Sequence, residues 1–405
     1  MIARTAVAMG FAGLARYGRA MGILAMLVLA FAWHAEGRAQ EALRVTVLLA
    51  GDPLPSSQAR AMLERQVVQA WQRSRPRTGR LVAVEVVTHD GTVDAALHAA
   101  EEAARGGAHV LVCCRDAETS RSVARRVAGL GLPVLTLHSA SERSTAGWQV
   151  AVAMDPAEEL RGIIGDAYDR GARTFGIMMP AGSEGDALLA RLPGFFGAPG
   201  MTLATPARFP TGATVLTPEA LWVATRLPDV VIAWGDDRDP WTALWGLRER
   251  GWRGPVYLPY AALRVLEARP APPATTGEVR MLAAPSSTWT FLTPGDPSYA
   301  AVVEARAWGA GRLETQRGLA DGARLHDALY LLDRAIGRMQ AGGGAGLTLE
   351  ETRARLASAL VDLPAVDLAT GRYDPDPRVP AAGRAPGGRP VRVVNGRLQP
   401  LGDVR

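Results

Sequence analysis

Cys113 and Cys114 stand side by side at the end of an apolar run and are the only cysteines in the chain. Neighbours in a strand point to opposite faces, so a bond between them would be strained. With no third cysteine there is no disulfide framework, and the expectation is two buried packing thiols. Gly182-Ser183-Glu184-Gly185 suggests a nucleophile, yet it lacks the strand-to-elbow spacing of a catalytic serine and has no obvious histidine partner. HExxH, GxSxG and paired cysteine clusters are all absent. Every basic residue other than histidine is arginine, which removes a phosphate-loop lysine and a Schiff-base lysine. These observations argue against an enzyme, and no cofactor and no metal is expected.

The polar residues that remain gather at the ends of apolar runs. In the stretch Gly106–Glu142, His109–Cys114 is long enough for a strand and too short for a helix. Ala117–Leu130 has helical spacing, with Val123, Val127 and Leu130 on one face and Arg121, Arg125 and Arg126 on the other. Gly129 and Gly131 stop it, and Pro133–Leu137 is a second buried strand. Parallel strands joined through a helix need a right-handed crossover, and ligands sit beyond the carboxyl ends of such strands. Those ends are the loops Arg115–Thr119 and His138–Glu142, both rich in hydroxyls and acids.

Length and composition fit two domains of ordinary globular type, with 405 residues, 48% hydrophobic and 21% charged. Arg4, Arg16 and Arg19 precede the apolar run Met21–Trp33, and Gly37-Arg38-Ala39 follows. That pattern predicts a secretory signal over residues 1–39, cleaved after Ala39, and export from the cytoplasm. The apolar run is short for a membrane span. Removing the four Arg and one Glu of this segment lowers the formal charge from +5 to about +2. Such a balance calls for neither nucleic acid nor an anionic membrane.

Leu43–Leu49, Leu81–Thr88 and the two strands above alternate with helices at Ser56–Arg73, Val93–Arg105 and Ala117–Leu130. The order β-α-β-α-β-α-β means a doubly wound parallel sheet. After Trp148 the pattern restarts. Strands are predicted at Thr174–Met179, Thr202–Phe209, Asp229–Trp234 and Gly254–Leu258, with helices at Pro156–Arg170, Asp186–Phe196, Thr217–Arg226 and Pro240–Arg250. Helices at Pro297–Gly309, Asp321–Met339 and Thr348–Leu360 follow. Arg378–Arg389 reads as a loose Pro/Gly segment, and Val391–Leu398 around Asn395-Gly396 as a hairpin.

This order resembles the type I periplasmic solute-binding proteins, above all those serving branched-chain amino acid and amide ABC importers. THDGTVDAALHAAEEAA looks like the family's acidic turn and Ala-rich helix, and HVLVCC with LGLPVLT like its third and fourth strands. PDVVIAWGDDRDPWTALWGLRERGWRGPVY looks like its second-lobe strand, loop, helix and strand. HDALYLLDRAI and ATGRYDPDP…VRVVNGRLQPL resemble its closing helix and hairpin. The resemblance implies an α/β protein of two Rossmann-like doubly wound lobes joined by three crossover segments, near Trp148, Met281 and Val361. Lobe I would hold residues 40–148 and 282–361, and lobe II residues 149–281 and 362–405.

It also implies a cleft that binds a solute and closes by a hinge. The family's ligand positions fall here on Ala117, Glu118 and Thr119, on Thr136, Ser139, Ala140 and Ser141, on Ser183 and Glu184, on Asp236 and Asp237, and on Tyr260. Ala117-Glu118 replaces the usual hydroxyls, and Tyr260 replaces an acid that would pair an ammonium. A carboxylate at 118 would repel a ligand carboxylate. His138 is a further candidate for the cleft wall. Trp234, Trp241 and Trp245 could present an aromatic wall, though the spacing of the latter two suits core packing.

The function so implied is a monomeric receptor that hands a small amino acid, amide or organic acid to an ABC permease in the inner membrane. A module of the same fold that binds a protein instead, such as an activator of cell-wall synthases, is the alternative. The altered positions 118 and 260 keep it open.

Overall fold

A computed structural model describes residues 42–402 apart from 52–54, 76–80, 139–147, 236–237, 264–277, 310–315, 344–345, 377–378, 384–387 and 396. The expected signal segment therefore lies outside the described residues. Among the described residues no helix is long and apolar enough to cross a membrane.

The first unit runs β1 (Leu43–Ala50), α1 (Pro55–Ser74), β2 (Val82–His89), α2 (Val93–Arg105), β3 (Val110–Cys113), α3 (Ala117–Ala128), β4 (Val134–Thr136) and β5 (Gln149–Ala151). The second runs α4 (Pro156–Asp169), β6 (Thr174–Pro180), α5 (Ser183–Arg191), β7 (Thr202–Leu203), β8 (Ala207–Phe209), α6 (Thr217–Ala224), β9 (Val230–Ala233), α7 (Asp239–Glu249), β10 (Val256–Leu258) and β11 (Val279–Ala283). The third part holds α8 (Tyr299–Trp308), α9 (Gln316–Ala341), α10 (Leu349–Val361) and six short strands. These are β12 (Val366–Asp367), β13 (Arg372–Tyr373), β14 (Pro375–Asp376), β15 (Val379–Gly383), β16 (Arg389–Val394) and β17 (Arg397–Pro400).

The strands form two main sheets, ordered β14-β15-β5-β4-β3-β1-β2 and β17-β16-β11-β10-β9-β6-β7, with β8 also on β6. Within each, the five core strands are parallel and follow the same doubly wound order. β3 and β9 are buried along their whole length, the mark of strands covered on both faces. Strand order reverses between β1 and β3 in one sheet and between β6 and β9 in the other. Ligands bind in α/β sheets at such reversals.

Among the described strands the chain changes sheet after Ala151, after Ala283 and after Gly383. The expected crossings lay near Trp148, Met281 and Val361. β5, β14 and β15 thus extend the first sheet, and Val379–Gly383, read as loose, is a strand. The backbone N–H of Ser286 donates to Ala369 O at 2.8 Å, tying the chain after the second passage to the segment before β13.

Each sheet has a core on both faces. In the first, α1 and α9 cover one side: Val67, Val68 and Trp71 share a core with Leu325, Leu329, Leu332 and Ile336. The Trp71 indole Nε1–H donates to Asp333 Oδ2 at 2.6 Å. Ala-rich α2 and α3 cover the other side. In the second, α4 and α5 lie on one face and α6 and α7 on the other.

Local signals hold several elements in place. Thr92 caps α2 by accepting the Ala95 N–H, and Thr348 and Glu351 form a reciprocal capping box on α10. Asn395 takes a φ of 51° in the turn of the β16–β17 hairpin, a conformation asparagine tolerates.

Cys113 and Cys114 are joined by a disulfide, which corrects the expectation of two thiols. Both are buried, as expected. The pleat that would send their side chains apart ends at Cys113. Cys114 leaves the strand with a φ of 69°, and the Cα atoms lie 3.7 Å apart.

Candidate functional site

The carboxyl ends of the two sheets face one another across a cleft with two chambers. Asp116, Ala117 and Glu118 follow β3, and His138 follows β4. From the other sheet come Ala181 to Ser183 after β6, Trp234 and Gly235 after β9, and Pro259 and Tyr260 after β10. The outer chamber, about 430 Å³, lies between Asp116, Glu118 and Arg121 on one side and Ser183, Thr211 and Asp239 on the other. The inner chamber, about 50 Å³, is lined by His138, Met154, Glu159, Tyr260, Arg324 and Thr370 among others. Trp234 and Gly235 line both.

Each wall is held by local chemistry. Asp116 caps α3: its Oδ1 accepts the Thr119 N–H at 2.7 Å. Arg115 forms an ion pair with Glu64 of α1, whose side chain is wholly buried, and this anchors the loop after β3. Asp239 opens α7 and accepts the Gly212 N–H at 3.0 Å. Gly235 has a φ of 147°, and a Cβ there would lie 2.7 Å from the Asp239 Cβ. Glycine lets β9 and the start of α7 approach this closely. Tyr260 sits at the rear: its backbone N–H donates to Glu159 Oε1, and its hydroxyl lies 2.8 Å from Ser287 Oγ.

Arg121 Nη1 lies 3.5 Å from Ser183 Oγ, a contact from the first unit to the second across the outer chamber. Among the described residues, the arginine on the inner wall is Arg324 of α9, which is 9% exposed. Its guanidinium lies 5.4 Å from the centre of the Tyr260 ring.

The residues expected from sequence divide as follows. Glu118 and Ser183 line the outer chamber and Tyr260 the inner, along with His138. Thr119 is buried and lines neither chamber; nor does Thr136, wholly buried, whose hydroxyl accepts a bond from Gln149 Nε2 at 3.2 Å. Glu184 lies in the first turn of α5. Ser139, Ala140, Ser141, Asp236 and Asp237 fall outside the described residues. Trp241 is core, donating from Nε1 to Ala262 O at 2.8 Å, whereas Trp245 is partly exposed. Arg121, Glu159, Asp239 and Arg324 were not singled out by sequence. Three of them begin or follow helix starts, and only their distance from a strand end could have flagged them.

Among the described residues no three potential metal ligands cluster. The site instead combines a shared aromatic wall, two opposed loops and charged side chains of both signs, a concave arrangement suited to a small polar molecule.

This fold and cleft define a two-lobed binding protein. The model of the periplasmic binding protein family matches residues 72–391, and the chain belongs to that family. Its members are receptors without catalytic activity. No curated protein matches the sequence. Among solved structures, an extracellular ligand-binding receptor from Rhodopseudomonas palustris HaA2 is 16% identical, with a TM-score of 0.72 over 89% of this chain and all of that one. A leucine-binding protein from Thermotoga maritima is 15% identical, with a TM-score of 0.67 over 89% of this chain and 98% of that one. A solute-binding protein of an R. palustris ABC transporter, solved with benzoate, is 14% identical, with a TM-score of 0.65 over 90% of this chain and 96% of that one. At these identities the likeness is one of fold.

Proposed function

We propose that this protein is the extracytoplasmic receptor of an ABC importer, which takes a small polar solute or organic acid into the cleft and closes on it. The observation that carries this reading is the pair of chambers built from the carboxyl ends of both sheets, with Trp234 and Gly235 common to the two. A ligand there touches both units and stabilises their approach; Arg121 and Ser183 already meet across it. The leucine-binding and benzoate-bound relatives are consistent with a small solute. We take the lobes as changing over after β5, β11 and β15, with secretion through the segment 1–39 and an inner-membrane permease as partner.

The test is a thermal-shift screen of the mature protein against amino acids, amides, short organic acids and aromatic acids. A ligand at a hundredfold its dissociation constant adds about 2.7 kcal/mol, a shift of several degrees. Silence across the library would remove the solute-receptor reading and favour a protein partner, to be sought by pull-down from the periplasm.

A further inference from the structure

The inner chamber holds an imbalance of charge satisfaction. Arg324 lies on α9, where residues 322 to 329 are all buried, so its side chain is enclosed rather than spread over a solvated face. It is 9% exposed and lines the chamber. Its Nη1 is buried and has no hydrogen-bond partner among the described residues. A desolvated guanidinium with an unmet donor is costly, and proteins place one where an acceptor arrives. The acid on the same wall is engaged elsewhere: Glu159 accepts the backbone N–H of Tyr260. The Tyr260 ring, 5.4 Å from the Arg324 guanidinium carbon, packs against the cation without giving Nη1 an acceptor.

We propose that the inner chamber is an anion subsite, in which Arg324 takes the carboxylate of a small organic acid. The inference rests on the solute-receptor reading and narrows it to monocarboxylates. A planar guanidinium matches a carboxylate by two parallel N–H bonds, and charge-assisted bonds of this kind are the strong ones. The chamber admits little more than a head group. Trp234, which lines both chambers, and Met154 give the acid's carbon body an apolar wall on the way to the outer one. An amino acid is a poorer occupant, since among the described residues of the inner chamber the acid its ammonium would meet is Glu159, which already accepts the Tyr260 N–H.

The test is calorimetric titration of the mature protein with acetate, butyrate, benzoate and phenylacetate, and with the primary amide of each. Arg324→Gln and Arg324→Lys are titrated alongside, and the melting temperature of each ligand-free variant is recorded. At least one acid is expected to bind about 30-fold or more tightly than its amide, Arg324→Gln to abolish that difference, and Arg324→Lys to restore part of it. The ligand-free Arg324→Gln protein is expected to melt no lower than wild type, because the removed charge had an unmet donor. Amides binding as tightly as acids, or acids binding Arg324→Gln unchanged, would overturn the anion subsite and leave the solute receptor standing. A ligand-free Arg324→Gln protein that melts far below wild type would assign the arginine to structure and overturn the subsite equally. If none of the eight compounds binds the wild type, the subsite falls; a hit elsewhere in the thermal-shift screen would then show that the receptor reading survives it.

Discussion

Asp327 holds Thr370 twice: its Oδ2 accepts the Thr370 backbone N–H at 2.8 Å and the hydroxyl at 2.7 Å. Its Oδ1 accepts the Ala369 N–H at 3.1 Å. Asp327 is fully buried on α9, and Thr370 lines the inner chamber. One carboxylate therefore fixes a cleft wall to the long helix. Asp327→Ala is expected to cost about 3–5 kcal/mol, because it strands the neighbouring imidazolium and three donors. Urea denaturation checks this; a loss under about 1 kcal/mol would mean the wall is held by other contacts.

His326 packs beside that carboxylate, with Nδ1 2.9 Å from Asp327 Oδ1 and Nε2 3.7 Å from Glu304 Oε2. Burial by itself lowers the imidazolium, but Asp327 and Glu304 outweigh it and push the pKa up to about 9. A pKa raised in the folded state stabilises fully below the unfolded value of about 6.5, and that contribution is lost as pH rises through about 9. Stability should therefore decline across this window, and His326→Gln should flatten the decline. Denaturation midpoints through the window for both proteins decide the matter. Parallel curves would assign the pH dependence to other groups.

Arg353 of α10 docks the helix across the first unit. Its Nε donates to Ala108 O and its Nη2 to Ala104 O, both at 2.8 Å, and its Nη1 to Leu130 O at 3.3 Å. Ala104 lies in the last turn of α2, and Ala108 and Leu130 lie just beyond α2 and α3; a helix C-terminus favours a cation. Arg353→Met keeps the stem and should still destabilise by about 3 kcal/mol, seen as a lower urea midpoint.

Gly185 lies in α5, and a Cβ on it would come within 2.0 Å of the Pro180 carbonyl oxygen. Gly185→Ala must push the start of α5 away from the end of β6, where Arg208 also donates to that oxygen. A loss of about 2 kcal/mol or more is expected, with weaker solute binding, since Ser183 and Gly182 move with it. An unchanged melting temperature would contradict the geometry.

Trp234 faces both chambers and is 4% exposed. Trp234→Ala should weaken a bound solute by roughly tenfold or more, since aromatic anchors in desolvated pockets dominate binding. Titration with any ligand found by thermal shift tests it, and undiminished affinity would place the solute elsewhere.

The lobes were legible because strand and helix signals alternate with little ambiguity. Val110–Cys113 and Val230–Ala233 are short apolar runs closed by polar turns, and both are central strands. Asn395 marked its hairpin by chemistry alone. The site was less legible. Alternation along a strand set Cys113 apart from Cys114, wrongly, because the backbone leaves the strand between them and the two are bonded. Thr136 sits at a strand end yet turns inward to Gln149. Arg324 hid because a charged residue in a helical pattern reads as solvated, and α9 is enclosed all round at that point. Burial of that kind depends on what packs against the helix, which sequence spacing does not contain.

The bond from Trp71 to Asp333 joins residues 262 apart. During synthesis, the apolar face of α1 with Val67, Val68 and Trp71 is complete long before α9 exists to cover it. That side of the first sheet is covered only after all the parallel strands of the second, β6 to β11, have been made. Contacts of such sequence separation are slow to form and leave apolar surface open meanwhile. Halting the chain before α9 is expected to leave the Val67, Val68 and Trp71 face of α1 uncovered, a surface that favours association.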